Sequence, residues 1–302
     1  MEKAFDLIAK IEGINQGPHF CNITVKNKDN EMLNIKLDPK ELNKVEIGKA
    51  YVFKVLEKTI VEKEKDILEY VSSALIENVL SEEELDELLP KFYTYAPLSM
   101  KQIKKEVEKY LNKIDNKVYF EITKSIYDEN KETFYIHPAA TKFHHSYVGG
   151  LSYHTLSMLK LVDGFIEVYQ YLDKDLLYAS IILHDIKKID EITNVDGEYT
   201  IEGQLIGHIV MGTIDIDRIA RKLGYENNEE TLLLKHTVLA HHGQLNFGSP
   251  KKPQIGEALL LWHLDTIDSK LGTLGDVLET TPKGEFTPSI PVLDRMRFYK
   301  KK

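Results

Sequence analysis

The chain has 302 residues, 42% hydrophobic and 29% charged, which is apolar material for one large domain or two ordinary ones with full cores. A formal net charge of −9 excludes the broadly basic surface of a protein that coats nucleic acid, although a local basic groove stays open. The single cysteine, Cys21, excludes an intrachain disulfide.

The opening Met-Glu-Lys-Ala-Phe-Asp lacks the basic-then-apolar pattern of a signal peptide. No apolar run approaches the roughly 18 residues of a membrane span. A soluble, cytoplasmic protein is therefore expected. From residue 1 to about 80 the chain reads as short alternating segments, His19–Val25, Met32–Leu37 and Tyr51–Leu56, bounded by turn formers such as 27–30 and Asp38-Pro39. Several short strands in so few residues predict a small β-barrel or sandwich, with an OB-like barrel as one candidate. Phe20, Tyr51 and Phe53 could stack on bases there, but core packing is the plainer reading.

Residues 81–116 turn helical and read as a linker. Ser81 and Glu84 have capping-box spacing, Leu85, Leu88 and Leu89 follow at helical intervals, and Pro90 should end or interrupt the segment. A second amphipathic stretch carries Ile103, Val107, Tyr110 and Leu111 on one face. From 117 to 302 nearly everything reads as helix, with segments near 151–172, 175–189, 203–223, 228–242 and 254–271 punctuated by Gly149-Gly150, Gly224 and Gly243. Beyond Thr280, Pro282, Pro288 and Pro291 predict an extended segment. Its basic cluster, Arg295, Arg297, Lys300, Lys301 and Lys302, could line a groove, as could Lys101, Lys104 and Lys105 or Lys251 and Lys252. The plain reading of each is a solvated face.

Nine of the 11 histidines lie between His137 and His242, on consecutive predicted helices that can converge inside one bundle. His184 and Asp185 end an apolar run, Leu-Leu-Tyr-Ala-Ser-Ile-Ile-Leu, and Asp265 ends another, Ala-Leu-Leu-Leu-Trp-His-Leu. A carboxylate buried in such surroundings is costly unless it is paired or binds a metal. His154 lies one turn into its helix. Sets of His and carboxylate with an open position suit a hydrolytic metal, which lowers the pKa of its water. His208, His241 and His242 could hold a second ion. Asp268, one turn beyond Asp265, is either an orienting partner or solvent-exposed. His144 and His145 could contact a substrate phosphate or shape a turn. There is no phosphate-binding glycine loop and no Cys-based zinc spacing.

The order His, then His-Asp, then Asp, all on helices, resembles the HD phosphohydrolase superfamily. Within it, Pro138-Ala139-Ala140, His144-His145, Gly149-Gly150-Leu151, His154-Thr155, residues 183–188, residues 202–208 and His241-His242-Gly243 resemble the YhaM-type 3′→5′ exoribonucleases. The resemblance covers about residues 90 to 300; over residues 1 to 80 it rests on order and size alone. It implies an α+β chain in which an OB-like barrel that binds single strands precedes an all-α HD-domain helical bundle. It implies metal ligation by His154, His184, Asp185 and Asp265, and a second ion on His208 with His241, His242 or both. It also places Lys188 near the scissile phosphate, so Asp185 and Lys188 are the expected catalytic pair.

The expected activity is metal-dependent hydrolysis of single-stranded RNA, and conceivably DNA, from its 3′ end. One or two divalent ions would serve it, Mn²⁺, Fe²⁺, Co²⁺ or Zn²⁺. A homo-oligomer is compatible with this resemblance. Two alternatives stand beside it: hydrolysis of a small nucleotide or cyclic dinucleotide, and nucleic-acid binding around a vestigial HD site.

Overall fold

The computed structural model describes residues 3–17, 20–60, 65–93, 95–140, 147–193 and 198–302. The chain divides into two compact units, Met1–Tyr95 and Ala96–Lys302. The boundary falls inside the segment 81–116 that reads as a linker.

The first unit is a closed five-stranded barrel. Its strands are β1 (Lys3–Gly17), β2 (Phe20–Asn27), β3 (Met32–Lys36), β4 (Ala50–Ile60) and β5 (Lys65–Leu75). They pair in the order β1-β2-β3-β5-β4, with β4 closing onto β1. Only β3 and β5 run parallel; every other pair is antiparallel. This is the small Greek-key barrel that the alternating segments predict, and it matches an OB-type arrangement. In β2 every second side chain, Cys21, Ile23 and Val25, turns inward and meets Ala9, Ile11, Ile35, Phe53 and Val55. The β2–β3 hairpin turns because the Asn27 side-chain oxygen accepts the N–H groups of Asp29 and Glu31, both at 2.9 Å, while Asn30 takes a left-handed φ of 66°.

Tyr51 and Phe53 lie in the barrel core, and Phe20 is half exposed with its ring over Gly17. Helix α1 (Glu82–Phe92) starts at the Ser81–Glu84 capping box and sets Leu85, Leu88 and Leu89 against Ala50, Ile76 and Phe92 of the same unit. Pro90 sits in its last turn, where it withdraws one backbone N–H, and the helix runs on two residues to Phe92.

The second unit is helical. Its larger helices are α2 (Met100–Leu111), α3 (Lys117–Phe134), α4 (Gly150–Val168) and α5 (Lys174–Leu183). The short α6 (Lys188–Glu191) and α7 (Ile201–Leu205) follow, then α8 (His208–Leu223), α9 (Glu229–Leu239) and α10 (Gly256–Thr280). Among the described residues, no helix is long and apolar enough to cross a membrane. Helix α5 is the axis of the unit. Every residue from Asp175 to Leu183 is buried, and α2, α3, α4, α9 and α10 all pack on it. Asp173 caps its start through the N–H groups of Asp175 and Leu176.

Four predicted helices are shorter than their periodicity suggests, the first of them, 151–172, ending at Val168. The stretch 175–189 breaks after Leu183, 203–223 breaks at Gly207 with φ 78°, and 228–242 stops at Leu239. The segment beyond Thr280 is extended but paired with itself, through bridges Phe286–Tyr299 and Ile290–Met296.

Because α5 has no solvent face, truncating Leu177, which is fully buried, leaves a cavity that cannot fill with water. The substitution Leu177→Ala is expected to destabilise the helical unit by about 2–5 kcal/mol, read as a lowered urea midpoint of its unfolding transition.

Candidate metal centre

The central helix α5 delivers its last residues into the interior, and the chain breaks there. His184 caps α5 and Asp185 follows it, with only 2% of that residue's surface accessible. The other histidines arrive from elsewhere. His154 lies one turn into α4 and is buried among Leu151, Thr155 and Met158. His208 is the first residue of α8. His241 and His242 occupy the turn after α9. Asp265 and Asp268 lie one turn apart on α10.

The structure brings every expected ligand into one cluster with two halves. Potential ligand atoms of His154, His184 and Asp185 lie within 4.8 Å of one another, as do those of His208, His241 and His242. Asp185 faces both halves. Its Oδ2 is 3.3 Å from His184 Nε2 and 3.8 Å from His154 Nε2. Its Oδ1 is 3.3 Å from His208 Nε2 and 3.6 Å from His241 Nε2. Asp265 Oδ1 completes the first half, 3.3 Å from His154 Nε2.

The other nitrogen of each ring decides what these atoms can do. His184 Nδ1 is 2.8 Å from the Ile181 carbonyl and His241 Nδ1 is 2.7 Å from the Val238 carbonyl. A carbonyl only accepts, so both Nδ1 atoms carry the proton and both Nε2 atoms present a lone pair. His154 Nδ1 donates to Asp268 Oδ2 at 2.7 Å, and His208 Nδ1 donates to Glu191 Oε2 at 2.8 Å. With each ring neutral, four lone pairs converge on a carboxylate that is itself an acceptor. Asp185 Oδ1, His208 Nε2 and His241 Nε2 are buried and find no hydrogen-bond partner among the described residues. Buried acceptors that face only acceptors fit one kind of guest, a cation. The mix of imidazole and carboxylate suits a divalent transition metal.

The charges agree with this reading. Burial pushes the Asp185 carboxyl up, but the Lys188 ammonium at 2.7 Å and the facing imidazoles outweigh it and hold the group well below the carboxylate range. Asp265 is likewise raised by burial and lowered further by its bond to His154. Burial lowers Lys188, but Asp185 and Asp265 raise it above its ordinary value, so it stays charged. His154 is pushed down by burial and up, to about 10, by Asp265 and Asp268 on its two nitrogens. In the bare chain a proton therefore stands on Nε2 where a cation would. In the second half, burial lowers His241, while burial and its two imidazole neighbours take His242 to about 4.

Two of the partners deserve separate mention. Asp268 was one of two open readings in the sequence, and it takes the orienting role. Glu191 gave no sequence signal. It ends the short helix α6 and accepts both the ring and the backbone N–H of His208, the latter at 3.1 Å. Gly203 lets the chain pass beside it, since a Cβ there would come within 2.3 Å of the Glu191 carbonyl. Gly243 does the same for the histidine turn: its φ is 73°, and a Cβ would collide with the Trp262 indole. Lys188 bonds Asp185, as its place three residues on allows. His144 and His145 lie outside the described residues. A cavity of about 480 Å³ opens beside the cluster, lined by His242, Gln244, Trp262, Asp265 and Lys270 among others.

A family model for the HD domain matches residues 151–270. The 3′-5′ exoribonuclease YhaM of Shouchella clausii (strain KSM-K16) is 38% identical over 247 residues, which are 80% of this chain and 77% of that protein. The 3′-5′ exoribonuclease YhaM of Geobacillus sp. (strain WCH70) is 38% identical over 210 residues, 69% of this chain and 64% of that protein.

Two outcomes follow from the orienting carboxylates and the raised imidazole. Glu191→Gln and Asp268→Asn should each weaken Mn²⁺ binding about 10–100-fold in calorimetric titration, because the ring each one holds is freed to turn. In EDTA, the His154 imidazolium contributes stability that is complete below its ordinary value of 6.5 and is lost as pH rises through about 10. The thermal midpoint of the stripped chain should therefore fall across that window, and His154→Gln should flatten the fall.

Proposed function

The chain belongs to the family of the YhaM 3′-5′ exoribonucleases, and from that membership and its buried acceptor cluster we propose that it is a metal-dependent 3′-5′ exoribonuclease acting on single-stranded RNA. The observation that carries this reading is the convergence of imidazole lone pairs on Asp185 next to a charged lysine and a cavity of nucleotide size.

In this reading His154, His184, Asp185 and Asp265 would hold one divalent ion, and His208 with His241, His242 or both would hold a second. The ions, Mn²⁺, Fe²⁺, Co²⁺ or Zn²⁺, supply Lewis acidity toward water and phosphate when bound. The chain's own groups do the rest. Lys188 keeps its proton and offers a fixed positive charge for a phosphate oxygen, preorganised by its bond to Asp185. Asp268 and Glu191 hold the rings of His154 and His208 in one orientation and one tautomer. The cavity takes the terminal nucleotide. Water adds to phosphorus, the 3′ oxygen of the preceding nucleotide leaves with a proton, and a nucleoside 5′-monophosphate is released.

The barrel's role is to hold the strand, by backbone charge and base stacking. Its inward aromatics are spent on the core, which leaves Phe20 as the half-exposed aromatic among the three singled out in the sequence.

The test is degradation of a 5′-labelled single-stranded RNA in Mn²⁺ and in EDTA, by the native chain and by Asp185→Ala and Lys188→Ala. A ladder that shortens from the 3′ end is expected, abolished by EDTA and by Asp185→Ala. Lys188→Ala should lower the rate about 10²–10³-fold with ion binding retained. RNA left intact with every ion tried, together with hydrolysis of free nucleotides, would move the substrate to a small nucleotide.

A further inference from the structure

The metal cluster makes no use of residues 281–302, yet this segment is built with care. Gly284 N–H donates to the Lys300 carbonyl at 2.9 Å, Lys300 N–H to Glu285 at 2.9 Å and Thr287 N–H to Phe298 at 2.8 Å. Thr287, Ile290 and Leu293 are buried beneath the hairpin. Lys300 Nζ donates to the Leu278 and Glu279 carbonyls, so it caps α10 and pins the hairpin to that helix. The result is a rigid platform.

Its outward face is unusual for an acidic chain. Phe286 and Tyr299 stand opposite each other with ring centroids 5.4 Å apart, and they are 56% and 47% exposed. Met296 is exposed on the same hairpin, and the Arg297 guanidinium lies 5.9 Å from the Phe286 ring centroid. The segment carries Lys283, Arg295, Arg297, Lys300, Lys301 and Lys302 against only Glu285 and Asp294, in a chain of net charge −9. Val292, in the turn of the hairpin, lines the same cavity as His242 and Asp265. The hairpin therefore adjoins the mouth of the candidate metal centre.

An exposed aromatic pair costs free energy in water and calls for a partner when it is grouped with other apolar side chains. The surrounding lysines argue against a second copy of the chain, since interface cores are depleted in lysine. Fixed aromatic faces amid cations are what a single-stranded polyanion with stacking bases requires. We propose that the 281–302 hairpin is a second subsite for single-stranded RNA. Phe286 and Tyr299 stack on bases upstream of the terminal nucleotide, and Arg295, Lys301 and Lys302 meet the phosphates between them. This rests on the exoribonuclease reading for the identity of the strand.

The experiment is fluorescence anisotropy of a 5′-labelled single-stranded RNA of about 20 nucleotides, in EDTA so that binding is read apart from cleavage. It compares the full native chain with Phe286→Ala/Tyr299→Ala and with Lys301→Glu/Lys302→Glu. The aromatic variant should raise Kd about tenfold or more, and the charge variant should raise Kd and flatten its salt dependence. Mn²⁺ affinity should be unchanged in both, which reports an intact helical unit. If the aromatic variant unfolds, Phe286→Trp/Tyr299→Trp decides in its place, with native or tighter binding expected. RNA affinity within about twofold of native in the folded alanine and glutamate variants would overturn the proposal, as would weakened binding by the folded tryptophan variant or no RNA binding by the native chain. A change in solution mass without a change in RNA affinity would also overturn it and assign the patch to a second copy. Failure of the exoribonuclease reading is seen separately, as intact RNA after incubation with Mn²⁺.

Discussion

A carboxylate placed just past the end of a helix that is buried from Asp175 onward is the constraint around which the helical unit is organised. Moving an ionised carboxyl group out of water is costly unless charge and hydrogen bonds replace the lost hydration. For Asp185, Lys188 from the next turn meets that requirement at Oδ2, while the nitrogens of His184 beside it, His208 from the start of α8 and His241 from the turn after α9 surround the carboxylate in a way that a bound cation would complete. The glycines that break the predicted helices follow from the same need. A continuous helix through Gly207 could not present His208 at a helix start, and one through Gly243 could not accommodate the Trp262 indole.

The two halves of the cluster differ in charge as well as position. The first combines two imidazoles with Asp265 and its share of Asp185, and Lys188 stands beside it. The second combines three imidazoles with the other oxygen of the same carboxylate. Carboxylate oxygen favours harder cations, while imidazole favours zinc, copper, iron and nickel. Two ions bound here would therefore not be equivalent, and their affinities would depend on pH differently. An ion in the first half would displace a proton from His154; in the second half burial lowers His208 but Asp185 and Glu191 raise it above its ordinary value, whereas His241 and His242 are lowered.

Much of this could be read before any coordinates. Asp185 and Asp265 stood out because a carboxylate at the end of an apolar run is expensive, and expense is visible in a sequence; the histidines stood out by clustering on consecutive helices, and the family resemblance supplied their grouping. Glu191 was not, because a glutamate on a short helix looks like any surface glutamate until His208 is seen to reach it. In the barrel, β2, β3 and β4 showed themselves by alternation. Strand β1 did not, because the run Leu7-Ile8-Ala9 and the bulge between Ile11 and Gly13 disturb its period of two. Strand β5 is joined to β3 by a parallel pairing that no local pattern encodes. The hairpin past Thr280 was legible as extended, but its prolines hid the pairing that sets Phe286 against Tyr299.

The closure of β4 onto β1 limits how the barrel can recognise anything. An open sheet can capture an extended peptide by lending it a vacant row of backbone N–H and C=O groups. Here most of those rows are taken up around the ring, the β3–β5 seam being the shortest at two paired positions, so strand addition by a protein tail, or edge-to-edge assembly of one barrel on another, finds little template. Whatever docks on this unit must be read by outward side chains and loop tips, which is chemistry that tolerates a flexible, sequence-varied ligand and rewards repeated charge over fixed length.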